Sequence, residues 1–320
     1  MKILVMGAGA IGAFVGGCLA SAGEEVVFCA RGENLRALRE HGLEIFGVRP
    51  LRLETVVATD DPHEFAPYDL ILFAVKSYHT AHAGSQIVGC LKDGGAVMTL
   101  QNGVENEQRL AELVGRDAVM AGNSRIGAEL VSPGRIRHTS NGFVEFGELE
   151  GGETERAKAL AIVFERAKIF GGIVPNLLSA RWEKLIGNAG FNVVAALTGR
   201  PLGAILDDPE TARLTRTLMT EALTTARAAG ARIADDYIDR LLRHGQARLR
   251  LNRPSTLQDA TRGKPLEFEA ISGAVMRTAQ RLGVSVPVTV AMYTLLKLFD
   301  GGRASAAAGA SPTPAAASGN

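Results

Sequence analysis

Short apolar runs alternate with amphipathic segments over the first half of the chain, and helical periods dominate the second half. Such apolar runs are typical of strands that are buried on both faces of a sheet. The predicted strands lie at 3–6, 26–28, 69–75, 96–100, 117–122 and 173–175, with one or two more within 43–57. The predicted helices between them lie at 13–22, 33–40, 78–90, 105–113 and 153–170. Strands separated by helices predict an α/β fold with a parallel, doubly wound sheet.

Two later segments depart from this alternation. Residues 126–147 carry strand-like pieces and turn residues, so we expect hairpins added to the edge of the sheet. Further on, the periodicity predicts helices at 180–198, 209–229, 235–247, 267–282 and 287–299. We therefore predict a Rossmann-type domain at 1–174 and an all-helical domain at 175–300. Residues 301–320 are mostly Ala, Ser, Gly and Pro, and we expect this tail to be disordered.

A glycine-rich turn directly follows the first predicted strand and opens the first predicted helix. It reads Gly7-Ala8-Gly9-Ala10-Ile11-Gly12. In such a unit Gly7 allows the sharp turn, Gly9 lets a pyrophosphate approach the backbone, and Gly12 lets the helix lie close to the strand. The free N–H groups of the helix N-terminus then attract the phosphates. We predict a dinucleotide site here. The competing interpretation is a turn that binds nothing.

The end of the second predicted strand indicates which dinucleotide. A site for NAD usually has an acidic residue there, bonded to the ribose 2′-hydroxyl. This chain has Cys29-Ala30-Arg31-Gly32 instead. A cation without the acid favours a 2′-phosphate, so we predict NADP(H). An exposed loop arginine with no ligand is the alternative for Arg31.

Charge and cysteine content exclude several other classes of protein. Lys and Arg total 35 against 34 for Asp and Glu, so no electrostatic argument supports nucleic acid or a membrane surface as a partner. Three isolated cysteines without metal-site spacing indicate a reduced, cytoplasmic protein with no bound metal. His79 and His82 are close together but have no third ligand nearby. We expect neither a signal peptide nor a membrane span.

Three polar residues line up on one predicted helix. Lys184, Asn188 and Asn192 are spaced by four within 180–198, which places them on one face. The rest of the helix beyond Lys184 is apolar or small, so this face is expected to be buried and to need polar partners. A wet cleft between domains would supply them, whereas the alternative is an ordinary solvent-facing stripe. Lys76 and Asn102 each follow a predicted strand, where doubly wound sheets bind ligands.

Seven segments of the chain together resemble the ketopantoate reductase (2-dehydropantoate 2-reductase) family. The resemblance covers Met1 to about Phe299, and the order and spacing of the segments carry it. Besides the glycine turn they are Ala74-Val75-Lys76, Gln101-Asn102-Gly103, Gly134-Arg135-Ile136-Arg137-His138, Trp182-Glu183-Lys184-Leu185 with Asn188 and Asn192, Ser255-Thr256-Leu257-Gln258-Asp259, and Pro265-Leu266-Glu267-Phe268-Glu269.

The resemblance implies a reaction and a role for each residue. The family reduces the ketone of ketopantoate with NADPH, and this gives D-pantoate for pantothenate and coenzyme A. Lys184 is implied to be the general acid, and Glu267 the residue that orders the substrate. The other implied contacts are Asn188, Asn192, Ser255 and Asn102 for the substrate, and Arg31, Lys76 and Asn102 for the cofactor. The chemistry agrees, because hydride transfer to a ketone creates an oxyanion that an ammonium can both stabilise and protonate.

Some alternatives stay open at this stage. Ser255 could be a helix N-cap after Pro254, and Glu267 in a first helical turn would suit the helix dipole in any protein. Whether a residue of Ser77-Tyr78-His79 replaces the polar cofactor contact that family members carry after the strand-end lysine is also open. The substrate could be another 2-keto acid, or the chain could be a non-catalytic NADP sensor. A homodimer is not excluded.

Overall fold

A computed structural model describes residues 1–309, and these form two compact units. The first unit is Met1–Lys184 and the second begins at Leu185. The boundary between the units falls within one long helix, whereas the sequence-based domain boundary was placed at 174/175, just before it. The elements of the first unit are β1 (Lys2–Met6), α1 (Ala10–Ser21), β2 (Glu25–Cys29), α2 (Gly32–His41), β3 (Leu43–Gly47), β4 (Leu51–Leu53), β5 (Val57–Thr59), β6 (Tyr68–Phe73), α3 (Thr80–Gln86), β7 (Leu91–Thr99), α4 (Asn106–Val114), β8 (Val119–Ser124), β9 (Gly127–Ser132), β10 (Arg135–Ser140), β11 (Val144–Glu148), α5 (Glu155–Arg166) and β12 (Gly171–Ile173).

An eight-stranded sheet forms the centre of the first unit, in the order β12-β11-β8-β7-β6-β1-β2-β5. The strands from β8 to β5 all pair in parallel, and β11 is antiparallel to β8. Successive side chains of a strand point to opposite faces, so β1 supplies two cores. Ile3 and Val5 pack into the core on one face, and Leu4 and Met6 pack into the core on the other. This explains the unbroken apolar run and confirms the predicted doubly wound α/β sheet.

The hairpin within 126–147 does not extend this sheet, contrary to expectation. β9 and β10 pair with each other and join β3 and β4 in a separate four-stranded sheet, in the order β4-β3-β10-β9. Only β11 joins the large sheet. The turn signals identified the hairpin correctly. Its partner strand lies about 90 residues earlier in the chain, as Arg135 opposite Glu44 shows, and local periodicity carries no information on such pairing.

The described part of the second unit is entirely helical, as predicted. Its helices are the remainder of α6 (Leu177–Thr198), then α7 (Leu202–Asp207), α8 (Pro209–Ala228), α9 (Tyr237–Arg248), α10 (Ser255–Thr261), a π-helical turn (Glu269–Gly273), α11 (Ala274–Leu282) and α12 (Pro287–Gly309). α8 begins where the Asp208 carboxylate accepts hydrogen bonds from the N–H groups of Glu210 and Thr211, with Pro209 in the first turn. The short helix α7 is not predicted from the sequence, and α10 only through the N-cap alternative for Ser255, because one or two turns show too little periodicity.

The last helix runs further than the sequence indicated. α12 continues past Phe299 to Gly309, so residues 301–309 are helical rather than part of a disordered tail. Alanine is the strongest helix former, and a helix that has already nucleated extends readily into such a segment. The rest of the predicted tail, 310–320, lies outside the described residues. In residues 1–309 no helix combines the length and apolar character needed to cross a bilayer.

Candidate active site

The glycine turn lies at the carboxyl end of β1 and is built as a cradle. Gly7 has a φ of +101°, and the N–H groups of Gly7 and Ala8 donate to the carbonyl of Cys29 at 3.2 and 3.0 Å. A Cβ on Gly12 would come within 2.2 Å of the Gly7 carbonyl oxygen, so the turn and α1 can touch only because Gly12 has no side chain. The chain around the turn is therefore closely packed.

The other side of the cradle is open. A Cβ on Gly9 would meet no atom within 4 Å, and Gly9 precedes α1, whose first turn has neither a capping side chain nor an acidic residue. Ala10, Ile11 and Gly12 present the first backbone N–H groups of that helix. An open space at an uncapped helix N-terminus suits a phosphate. The residues present thus fit a dinucleotide.

Asn34 ties this turn to its surroundings, and the sequence analysis missed it. Its Nδ2 donates to the carbonyl of Ala8 at 2.9 Å, and its Oδ1 accepts from the N–H of Gly134 at 2.9 Å. Nearby, Arg31 is exposed at the end of β2, and its guanidinium donates to Gln86 Oε1 at 2.8 Å. Arg31 is therefore solvent-accessible, and its contact with a cofactor stays a prediction.

Gln101 links the loops that follow β6 and β7. It is buried, and its Nε2 donates to the carbonyl of Val75 at 3.0 Å and to Thr80 Oγ1 at 2.8 Å. Lys76 directly follows Val75 and Asn102 directly follows Gln101, so this one side chain joins the two loops that carry the predicted residues. We call residues 7–9, 74–76 and 101–103 the strand-end edge, since they follow β1, β6 and β7.

The loop after β7 is also bonded to the beginning of α6. Asn106 Nδ2 donates to the carbonyl of Asn102 at 2.7 Å, and Arg181 donates to the carbonyl of Gly103 at 3.0 Å. Arg181 also forms a buried ion pair with Glu107. Burial raises the pKa of Glu107, and the Arg181 guanidinium opposes that rise. The first turns of α6 are thus attached to the loop that carries Asn102.

A second set of contacts holds the same helical turns against β8. Asn123 Nδ2 donates to the carbonyl of Ala180 at 3.2 Å and to Glu145 Oε2 at 2.9 Å. Arg125 reaches the Ala180 carbonyl and Glu183 Oε2, both at 3.3 Å. Lys184 is half-buried and lies three residues after Arg181, so the two are on the same side of the helix. In the first unit, that side of α6 therefore meets the loop of Asn102.

In the second unit, the structure brings two of the predicted substrate residues together. Asn192 is buried, and its Nδ2 donates to Ser255 Oγ at 3.4 Å and to Thr256 Oγ1 at 3.2 Å. We call these three residues the amide cluster. Ser255 is the first residue of α10 and Pro254 occupies the cap position, so Ser255 is not the N-cap of that helix. Asn188 is half-buried one turn before Asn192.

Glu267 is buried but lies outside any helix. The helix expected from 267 begins two residues later, as the π-helical turn Glu269–Gly273, and the carbonyl of Glu267 accepts from the N–H of Ala270 at 3.1 Å. Glu267 therefore does not lie in the first turn of a helix. The role that the resemblance implies for Glu267, ordering the substrate, stays a prediction. Among residues 1–309 no group of three or more His, Cys, Asp or Glu side chains is arranged to hold a metal ion.

The parallel sheet with its glycine cradle, continued by a helical unit, defines the class of dinucleotide-binding oxidoreductases. Comparison with known proteins then gives the family. The family described as ketopantoate reductase PanE/ApbA matches residues 3–151, and its C-terminal domain matches residues 176–300. The chain belongs to the ketopantoate reductase family.

Individual relatives agree over nearly the whole chain. A 2-dehydropantoate 2-reductase from Halobacterium salinarum is 33% identical over 302 residues, which cover 93% of this chain and 98% of the relative. Another from Pyrococcus horikoshii is 31% identical, covering 93% and 97%. The crystal structure of the 2-dehydropantoate 2-reductase from Geobacter metallireducens superposes with a TM-score of 0.89 at 32% identity, covering 93% and 99%. This confirms the resemblance described above.

Proposed function

We propose that this chain reduces the ketone of 2-dehydropantoate to D-pantoate with NADPH, on the route to pantothenate and coenzyme A. The family and the relatives named for this reaction support the proposal. The observation that carries it is the attachment of α6 to the loop of Asn102, because it brings the helical turn of Lys184 to the strand-end edge. Ligands of doubly wound sheets bind at this edge.

Lys184 is the proposed general acid. The nicotinamide, when bound, supplies the hydride, and the ketone oxygen then needs a proton. The ammonium of Lys184 stabilises the developing charge on that oxygen and donates the proton to it. Asn102 and Lys76 lie at the strand-end edge and are proposed to contact the cofactor, with Asn102 also touching the substrate.

The remaining proposed residues bind the substrate. Ser255 Oγ accepts a hydrogen bond from Asn192, so its own O–H stays available to donate to the substrate carboxylate. Asn188 and Asn192 lie on the same side of α6 as Lys184, which suits them to hold the keto acid beside the ammonium. Glu267 is proposed to order the substrate hydroxyl. A homodimer and a cytoplasmic location stay predictions.

An assay of NADPH oxidation with a panel of 2-keto acids tests the proposal. We expect the highest kcat/KM with ketopantoate. A higher kcat/KM with another branched or aromatic 2-keto acid would reassign the substrate but keep the reaction. Tight NADPH binding without turnover of any keto acid would instead indicate an NADP sensor.

The cofactor preference rests on Arg31, which is exposed at the end of β2 where an NAD site carries an acid. Arg31→Asp should lower the affinity for NADPH by about tenfold or more, because a charge-assisted bond to phosphate contributes about 1.5–3 kcal/mol. The affinity for NADH should change little. Fluorescence titrations with both cofactors measure this, and Arg36→Asp on the exposed side of α2 is the control. Equal binding of NADH and NADPH by the unchanged protein would refute the preference.

A further inference from the structure

The ion pair between Glu107 and Arg181 is buried at both ends. The side chain of Arg181 is 10% exposed and that of Glu107 is 6% exposed. A buried pair of this kind is a poor source of stability, because removing two charges from water opposes most of the attraction between them. One nitrogen of the guanidinium, Nη2, donates to the Gly103 carbonyl at 3.0 Å and also contacts the Glu107 carboxylate. Arg181 is thus held to the segment 103–107 by two groups.

Both sides of the pair are close in sequence to residues with a proposed chemical role. Gly103 follows Asn102, and Asn106, the first residue of α4, donates to the carbonyl of Asn102. On the other side, Arg181 precedes Lys184 by three residues, which is less than one helical turn. A displacement of Arg181 would therefore carry the Lys184 backbone with it.

We propose that the Glu107–Arg181 pair positions the general acid, by fixing the turn of α6 that carries Lys184 to the loop that carries Asn102. Both residues act through Lys184 and Asn102 and are positioning residues. This inference rests on the proposed function. A misplacement of about 1 Å at a reacting group can slow a reaction roughly 100-fold, so an attachment of this kind affects turnover more than substrate affinity.

A double variant separates positioning from folding. Glu107→Gln or Arg181→Met alone leaves a buried charge without its partner and destabilises the protein. Glu107→Leu with Arg181→Met removes both charges and replaces them with apolar groups of similar size. A matched control is Glu148→Leu with Arg156→Met, since Arg156 Nε donates to Glu148 Oε1 at 2.8 Å in the same unit, in β11 and α5.

Steady-state kinetics at saturating NADPH give the main test. We expect the Glu107/Arg181 double variant to fold, to bind NADPH, and to lose roughly 10- to 100-fold in kcat with little change in KM. The control should keep the kcat of the unchanged protein. Arg181→Lys, which keeps the charge but not the planar set of donors, should lose less kcat than Arg181→Met. A folded Glu107/Arg181 double variant with unchanged kcat would overturn the proposal.

Trp182 reports the attachment without any turnover. It is the only tryptophan in the chain, adjoins Arg181 and is 2% exposed. Its emission should shift to longer wavelength in the Glu107/Arg181 double variant and not in the control. Unchanged emission would overturn the proposal even if the protein reduced no keto acid. Absence of turnover in the unchanged protein would refute the proposed function alone, so the two failures are distinguishable.

Discussion

The strand-end edge of the first unit and the amide cluster of the second are held in different ways. At the edge, the buried Gln101 side chain donates to two segments at 2.8 and 3.0 Å. In the amide cluster, Asn192 donates to two hydroxyls at 3.2 and 3.4 Å, the upper end of hydrogen-bonding distance. The edge is thus held by shorter bonds, one of them to a backbone carbonyl, and the amide cluster by longer bonds to two hydroxyls.

This difference separates a preformed region from an adaptable one. A group that binds and positions a reactant should have little freedom, since the ordering is then complete before the reactant arrives. The hydroxyls of Ser255 and Thr256 accept from Asn192, and each can turn its own O–H toward a ligand. Substitutions at the strand-end edge should therefore have large effects on activity or stability, and substitutions in the amide cluster should have small effects.

The largest effect is expected for Lys184→Ala. Loss of one preorganised donor to an oxyanion costs roughly 2.7–4 kcal/mol, or about 10²–10³ in turnover, and Lys184 would supply the proton as well. NADPH affinity and the thermal midpoint should stay close to those of the unchanged protein. Turnover at saturating NADPH and ketopantoate measures the effect, with Lys158→Ala on the exposed side of α5 as the control. Near-normal turnover would remove Lys184 from the mechanism.

Gln101→Ala is expected to act on stability and cofactor binding together. It leaves the Val75 carbonyl without its donor, whereas the Thr80 hydroxyl keeps its bond to the Ser77 carbonyl, and one buried group left unsatisfied costs about 1–3 kcal/mol. Urea denaturation should show a loss of that size, and NADPH should bind more weakly because the loop of Lys76 is no longer fixed. Gln246→Ala, which removes an exposed bond to Asp207, is the control. Equal effects of the two substitutions would contradict the preformed edge.

Ser255→Ala should have a smaller effect. Asn192 keeps Thr256 Oγ1 as an acceptor, so only the proposed bond to the substrate carboxylate is lost. A hydrogen bond to a charged group contributes at least about 1.5 kcal/mol, which corresponds to a rise in KM of roughly tenfold. Ser255→Ala with Thr256→Val removes both acceptors and should exceed the sum of the single effects. Steady-state kinetics test this. A loss of kcat as large as that of Lys184→Ala would show that the amide cluster is as rigid as the edge.

The smallest effect is expected at His138, which lies outside both regions and makes stability depend on pH. His138 on β10 is buried against Phe14, with ring centroids 4.3 Å apart. Burial and the Arg49 guanidinium lower the pKa of His138, so the folded protein favours its neutral form. The neutral side chain contributes to stability above about pH 6.5, the ordinary pKa of histidine. This contribution is lost as the pH falls through the lowered pKa of His138 in the folded protein. Denaturation at several pH values should show this decline, and His138→Phe should reduce it. If the stability of His138→Phe depended on pH as that of the unchanged protein does, the decline could not be attributed to His138.

Local sequence patterns predicted one part of the candidate site and could not predict another part. The glycine turn, Lys76, Asn102 and the helix of Lys184 were predicted, because each depends on residues within one turn or one strand end. Local patterns did not predict the contacts made by Gln101, by Asn34 and by the Glu107–Arg181 pair. Gln101 stood inside a quoted motif, yet its partners lie 21 and 26 residues away, and Arg181 pairs with Glu107 across more than 70 residues.

The sequence by itself determined the alternation of strands and helices, the position of the cradle and the polar line on α6. These follow from side-chain periodicity and from glycine, which act over a few residues. Only the tertiary structure decided that the β9–β10 hairpin belongs to a second sheet, that α6 divides between two units, and that Arg181 joins Glu107. Each of these depends on which distant groups share a buried space. That choice is made by packing and by the need to satisfy buried polar groups over the whole chain.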